Sequence, residues 1–264
     1  MIDFHSHILP NVDDGSANLA ESLHMLSMAA DDGISAMICT PHLLKAADFY
    51  NDSLYVSRFN ELKAAAAAED IQVDLYLGSE IYLQPDIRFD SIVATLNNTG
   101  RYFLVEFPMS NIPRFSAQLF QRLIADGHIP IIAHPERNLG FQQRPELAFQ
   151  FAELGILMQT NAASLTGRLG PKIQQLSHTF IEHNLIQFIG SDCHETKHRV
   201  CQLSEAYELV KSRWGQITAE NLFGNNAKIV LEGNDLFANF PIPLAGNSSP
   251  QKNRIARFLT NLWK

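Results

Sequence analysis

A chain of 264 residues, 46% apolar and 18% charged, has the make-up of an ordinary folded protein, and one α/β barrel alone takes about 250 residues. A net charge of −8 argues against a nucleic-acid binder, which needs clustered Lys and Arg. The three cysteines, Cys39, Cys193 and Cys201, form no Cys-x-x-Cys pair, so neither a disulfide framework nor a zinc knuckle is indicated.

The N-terminus reads Met-Ile-Asp-Phe-His-Ser-His, without the basic and apolar regions of a secretory signal, and no apolar run approaches the ~18 residues of a membrane span. A cytoplasmic protein is expected. Short β-rich runs follow at Ile2–His7, Ile34–Thr40, Val73–Leu83, Tyr102–Phe107, Ile129–His134, Ile156–Asn161 and Gln187–Ser191. Helix-like stretches separate them. Leu19, Leu23, Leu26 and Ala30 stand at helical spacing, with Asn18 ahead of Glu21 as a start signal and Gly33 as a stop. The Ala64–Ala68 run, in a segment beginning near Asp52, is a strong helix former rather than a linker. This alternation predicts parallel strands with helices outside. After Leu231 the pattern changes: Pro241, Pro243, Gly246 and Pro250 mark a linker, beyond which Ile255, Phe258, Leu259, Leu262 and Trp263 share one helical face. The expected organisation is a barrel over 1–232 and a linker with an amphipathic C-terminal helix over 233–264. That helix either packs back on the barrel or serves as a docking element for a partner or a membrane surface.

Ligand-type residues gather where the predicted strands end, which is where barrels carry their functional groups. His5 and His7, two apart, leave the same face of the first strand. His42 follows the second, Glu80 lies in the third, Glu106 ends the fourth, His134 ends the fifth, and Asp192 with His194 follows the seventh. Any one of them alone is more often a core or surface residue than a ligand. Taken together, Glu80 and Glu106 in apolar strands would be costly unless a cation compensates them. His24, His128, His178, His183 and His198 show no such pattern. Imidazoles and carboxylates without thiolate suit manganese, iron or zinc, and bridging carboxylates allow two or three ions. Such a cluster activates water and clamps the oxygens of a phosphoryl group, so hydrolysis is the natural reaction class. Arg137 and Arg199 either grip the phosphate or pair with Glu136 and Glu195.

The segments Phe4-His5-Ser6-His7, Val12-Asp13-Asp14-Gly15, Thr40-Pro41-His42, Gly78-Ser79-Glu80-Ile81-Tyr82, Val105-Glu106-Phe107, His134-Pro135-Glu136-Arg137 and Ser191-Asp192-Cys193-His194 together resemble the polymerase and histidinol phosphatase (PHP) superfamily, and within it the bacterial capsule-biosynthesis protein-tyrosine phosphatases. The resemblance spans Met1 to about Leu231. It implies a distorted (β/α)7 barrel with a trinuclear, usually manganese, site that removes phosphate from a tyrosine kinase controlling capsular or exopolysaccharide export. Carried over, His5, His7, Glu80 and Asp192 hold one metal, Glu80, Glu106 and His134 a second, and Asp14, His42 and His194 a third. Asp14 rather than Asp13 follows from the family pattern alone. The resemblance also implies that Arg137 and Arg199 bind the phosphoryl group, which a metal-bridging hydroxide attacks.

Three other readings compete. Cys193 and Arg199 have the Cys-x5-Arg spacing of thiolate phosphatases, although the intervening His-Glu-Thr-Lys-His lacks glycine and carries an acid. A histidinol-phosphate type of phosphomonoesterase, or a nuclease, would use the same cluster. The third is a non-catalytic module that docks on a kinase.

Overall fold

The computed structural model describes residues 1–244, and the expected C-terminal helix lies outside them. Its strands are β1 (Ile2–Ser6), β2 (Ala36–Cys39), β3 (His42–Leu43), β4 (Asp74–Leu77), β5 (Glu80–Tyr82), β6 (Tyr102–Glu106), β7 (Ile129–Ala133), β8 (Leu157–Asn161) and β9 (Phe188–Gly190). All pair in parallel, as a three-stranded sheet β1-β2-β4 and a six-stranded sheet β3-β5-β6-β7-β8-β9. The second predicted strand is β2 and is followed by an unexpected β3, while the third predicted strand is broken into β4 and β5. Pro41, which has no N–H to give, separates β2 from β3. The halves nevertheless belong to one stave each, and bonds from Asp192 N to His5 O and from His7 N to Cys193 O tie β9 to β1. Seven staves therefore follow one another around a ring, with the distortion concentrated at the two broken ones.

Helices α1 (Leu19–Asp31), α2 (Asp52–Ala68), α3 (Ser116–Ala125), α4 (Leu139–Gln143), α5 (Glu146–Glu153), α6 (Ala162–Leu165) and α7 (Pro171–Glu182) lie between strands, and α8 (Ser204–Trp214), α9 (Gln216–Glu220) and α10 (Asn226–Leu231) follow β9. Asn18 Oδ1 accepts from Glu21 N and Gly33 turns the chain at φ +83°, as the start and stop residues predict. The buried face of α1 differs from the expected one. Ser22, Met25, Leu26 and Ala29 face the core, while Leu19, Leu23 and Ala30 flank it. Ser22 can turn inward because its hydroxyl is bonded to Ser16 Oγ.

Two apolar regions result. The larger fills the space between staves and outer helices. The smaller lies inside the ring, built from Phe4, Ile38, Leu104, Ile131, Leu157 and Phe188, and is closed by Ala227, Val230 and Leu231 of α10. Along most staves the inward face continues upward at a spacing of two, so Leu104 leads to Glu106 and Leu157 to Gln159 and Asn161. In β1 the register slips between Asp3 and Ser6. That bulge re-aims the strand, so that Phe4 fills the floor and His5 and His7 still reach the rim.

Candidate metal centre

The residues that the sequence singles out meet at the C-terminal rim of the staves. His5 Nε2 and His7 Nε2 are 3.0 Å apart. Glu80 Oε2 lies 3.1 Å from the former, 3.3 Å from the latter and 3.1 Å from His42 Nδ1. Glu80 Oε1 accepts from or faces His134 Nε2 at 3.0 Å, and Glu106 Oε1 stands 3.7 Å from the same nitrogen. Asp14 Oδ1 is 3.5 Å from both His42 Nε2 and His194 Nε2. Asp192 Oδ1 is 3.7 Å from His5 Nε2 and 3.6 Å from His7 Nε2. Among the described residues, three groups of atoms are close enough to hold a metal: His5, His7 and Glu80; His42, Glu80 and Glu106; and His7, Asp14, His42 and His194.

Local backbone chemistry produces this convergence. His134 and Asp192 follow their strands with positive φ, at 32° and 56°, a left-handed turn that costs energy outside glycine. Gly190 is required beside them, because a Cβ there would lie 2.6 Å from the His5 Cβ.

The orientation of the first two imidazoles points to a cation. Gln159 Oε1, an acceptor, faces His5 Nδ1 at 3.1 Å, and Asp13 Oδ2 faces His7 Nδ1 at 2.8 Å. Each Nδ1 therefore carries its hydrogen, which turns two Nε2 lone pairs toward each other and toward a carboxylate. Ligand atoms around one small cation, at about 2.1 Å from it, are themselves about 3.0–3.4 Å apart, which is the spacing found. Moreover, His42 Nδ1, Glu80 Oε2 and His194 Nε2 are buried without a hydrogen bond. Orphaned polar atoms of this kind ask for an ion.

Without a cation, the buried carboxylates draw protons onto the imidazoles in its place. Burial lowers the proton affinity of His5 and His7, but Glu80 and Asp192 around the first, and Asp13 and Glu80 around the second, outweigh it and raise both. Burial and the positive charge of His7 drop His194 to about 4, so its Nε2 stays an available lone pair. Glu80 is driven well below the carboxylate range: burial opposes ionisation, yet the histidines prevail. Glu106 moves up, through burial and the charge of Glu80.

Both arginines turn to Asp192 rather than to Glu136 or Glu195. Arg137 Nη1 reaches Oδ2 at 2.5 Å and Arg199 Nη2 reaches Oδ1 at 2.7 Å. Glu136 instead accepts from Asn161 N and Ser164 Oγ, and Glu195 from backbone N–H groups of its own loop. Cys193 is fully buried and its Sγ faces Cys201 Sγ in the core, which removes it from the arginine and from any phosphate. His128, His178 and His183 bond backbone carbonyls away from the rim.

Sequence reasoning missed the residues behind the ligands. Asp13 Oδ2 also accepts from His42 N. Gln159 and Asn161 come from β8, the one stave without a ligand, and Asn161 Nδ2 donates to Asp192 Oδ2 at 2.7 Å. Their signal was present, since they stand two apart on the inward face at the rim end of β8, as ligands do elsewhere.

Comparison with known proteins adds an independent line. Tyrosine-protein phosphatase YwqE of Bacillus subtilis is 34% identical, with 92% of this chain and 96% of YwqE covered. The putative tyrosine-protein phosphatase CapC of Staphylococcus aureus is also 34% identical, over 91% and 95% of the two chains. Tyrosine-protein phosphatase CpsB of Streptococcus pneumoniae is 25% identical, over 88% and 98%. A crystal structure from work on YwqE and CpsB, described as unique metal-dependent tyrosine phosphatases, superposes with a TM-score of 0.87 at 34% identity, covering 92% of this chain and 99% of that one. Residues 1–232 match the model of the capsular polysaccharide synthesis family CpsB/CapC, and this chain belongs to that family.

Proposed function

We propose that this chain is a metal-dependent protein-tyrosine phosphatase, acting in the cytoplasm on a bacterial tyrosine kinase that governs capsular or exopolysaccharide export, with manganese as its cation. The observation that carries the reading is the convergence of orphaned imidazole and carboxylate atoms beside two arginines. In this reading His5, His7, Glu80 and Asp192 hold one ion, Glu80, Glu106 and His134 a second, and Asp14, His42 and His194 a third.

Bound divalent cations would supply Lewis acidity and a water made nucleophilic at neutral pH. The chain's own groups do the rest. Gln159 and Asp13 keep the His5 and His7 rings in the tautomer that presents Nε2. Each guanidinium has five N–H donors and spends few on Asp192, so Arg137 and Arg199 retain donors for phosphoryl oxygens and neutralise charge as the ester bond breaks. No thiolate takes part, because Cys193 is sealed in the core.

The test is a metal analysis of purified protein paired with assays on a phosphotyrosine peptide, histidinol phosphate and single-stranded DNA, before and after chelation. Hydrolysis of the peptide that chelation abolishes and Mn²⁺ restores is expected. Preference for histidinol phosphate or DNA, or activity indifferent to chelation, would overturn the reading. Unaltered control of kinase phosphorylation by His42→Ala would favour a docking module instead.

A further inference from the structure

A cavity of about 360 Å³ opens beside the cluster, between α6 and α8. Asp192 lines it at 3% exposure, with the half-buried Arg137 and the exposed Arg199 beside it. Its walls are Ala162, Ala163, Val200 and Ala206, and Leu169 stands at the mouth, 41% exposed. Three alanines where helices face each other leave room that larger side chains would fill. The far side holds an exposed ion pair, in which Arg168 Nη2 donates to Gln202 and Glu205 at 2.7 Å each.

The geometry points to this cavity as the leaving-group subsite, which takes the phenyl ring of an aryl phosphate whose phosphoryl group lies against Arg137 and Arg199. This inference rests on the proposed activity and adds where its specificity arises. Two arginines beside a wall of three alanines and Val200 match a substrate that joins an anionic group to an aromatic ring, while Asn161, Thr166 and Ser191 keep the opposite lining polar. The ring gains from burial against Ala and Val, and its face can lie on a guanidinium. A volume near the low end for ligand pockets admits one aromatic side chain and leaves the peptide backbone at the mouth by Leu169.

The test uses the full chain loaded with Mn²⁺ and the variant Ala163→Phe, which fills the cavity without touching the cluster. For phenyl phosphate and a phosphotyrosine peptide, kcat/KM should fall by about tenfold or more, mainly through KM. The inhibition constant of inorganic phosphate, which needs only the arginine end, should stay unchanged. Leu169→Ala should cost the peptide more than it costs phenyl phosphate. If Ala163→Phe also weakens phosphate inhibition, the smaller Ala163→Leu decides, and equal loss of both readouts there overturns the subsite. Wild-type kinetics for phenyl phosphate in a folded Ala163→Phe protein would overturn it too. A wild-type protein that cannot hydrolyse phosphotyrosine at all would instead sink the proposed activity.

Discussion

The two ends of the ring interior share the same strands and the same spacing of two, yet they obey opposite rules. At the floor, Phe4 and Phe188 stack with centroids 4.0 Å apart beneath Leu104 and Ile131, and α10 seals them from water. At the rim, five imidazoles and four carboxylates lie within a few ångströms, with Glu80 only 1% exposed. The floor is stabilised by burial alone. The rim is burial without release of charge, which repels itself unless an ion or protons intervene. One face of a sheet can thus carry stability at one end and chemistry at the other, provided the polar end has partners behind it.

Substitutions can separate the two ends, and the largest effect is expected at the hub of the rim. Glu80→Ala removes the carboxylate that four histidines face, so bound metal and phosphatase activity should both fall by more than the ten- to hundredfold typical of an orienting residue. Elemental analysis and single-turnover rates would check it; a protein that keeps full metal content would break the contrast. Phe188→Ala at the floor should cost about 3–5 kcal/mol in denaturant unfolding. Its specific activity per folded molecule should change little, since Phe188 touches no ligand.

A smaller effect belongs to the stave without ligands. Gln159→Leu leaves His5 Nδ1 without its acceptor, and metal affinity measured by chelator competition should weaken about ten- to hundredfold. Gln159→Glu restores an acceptor at that position and should recover most of the affinity, which a purely structural role would not predict. Smallest of all is Cys193→Ser. It places a hydroxyl in the core at a modest cost in stability, and the activity of the folded protein should stay within about twofold of wild type.

Much of this was legible before folding. Strands announced themselves as apolar runs, and the candidate ligands were visible because acids and histidines recurred at strand ends, against the usual exposure of such residues. The break of the second and third staves was less visible: the second resumes past Pro41 at His42 and Leu43, and the third is interrupted at Gly78 and Ser79 inside one β-rich run. The spacing of Leu19, Leu23, Leu26 and Ala30 marked α1 but not the place of Ser22 in its buried face, because a bonded serine is as good a core residue as leucine only when its partner is known. Ser16 is that partner, and it is six residues away.

By itself the sequence determined the alternation of strand and helix, the inward face of most staves, and the residue types able to bind cations, because each follows from a local period or a local cost. Only the tertiary structure decided that Asp13 stands behind His7 while Asp14, 65% exposed, faces His42 and His194. It likewise decided that both arginines meet Asp192, that Gln159 reaches His5 from 154 residues away, and that Cys193 turns into the core. Adjacent residues on a loop differ in role through direction, and partners distant in sequence meet only when the ring brings their staves together.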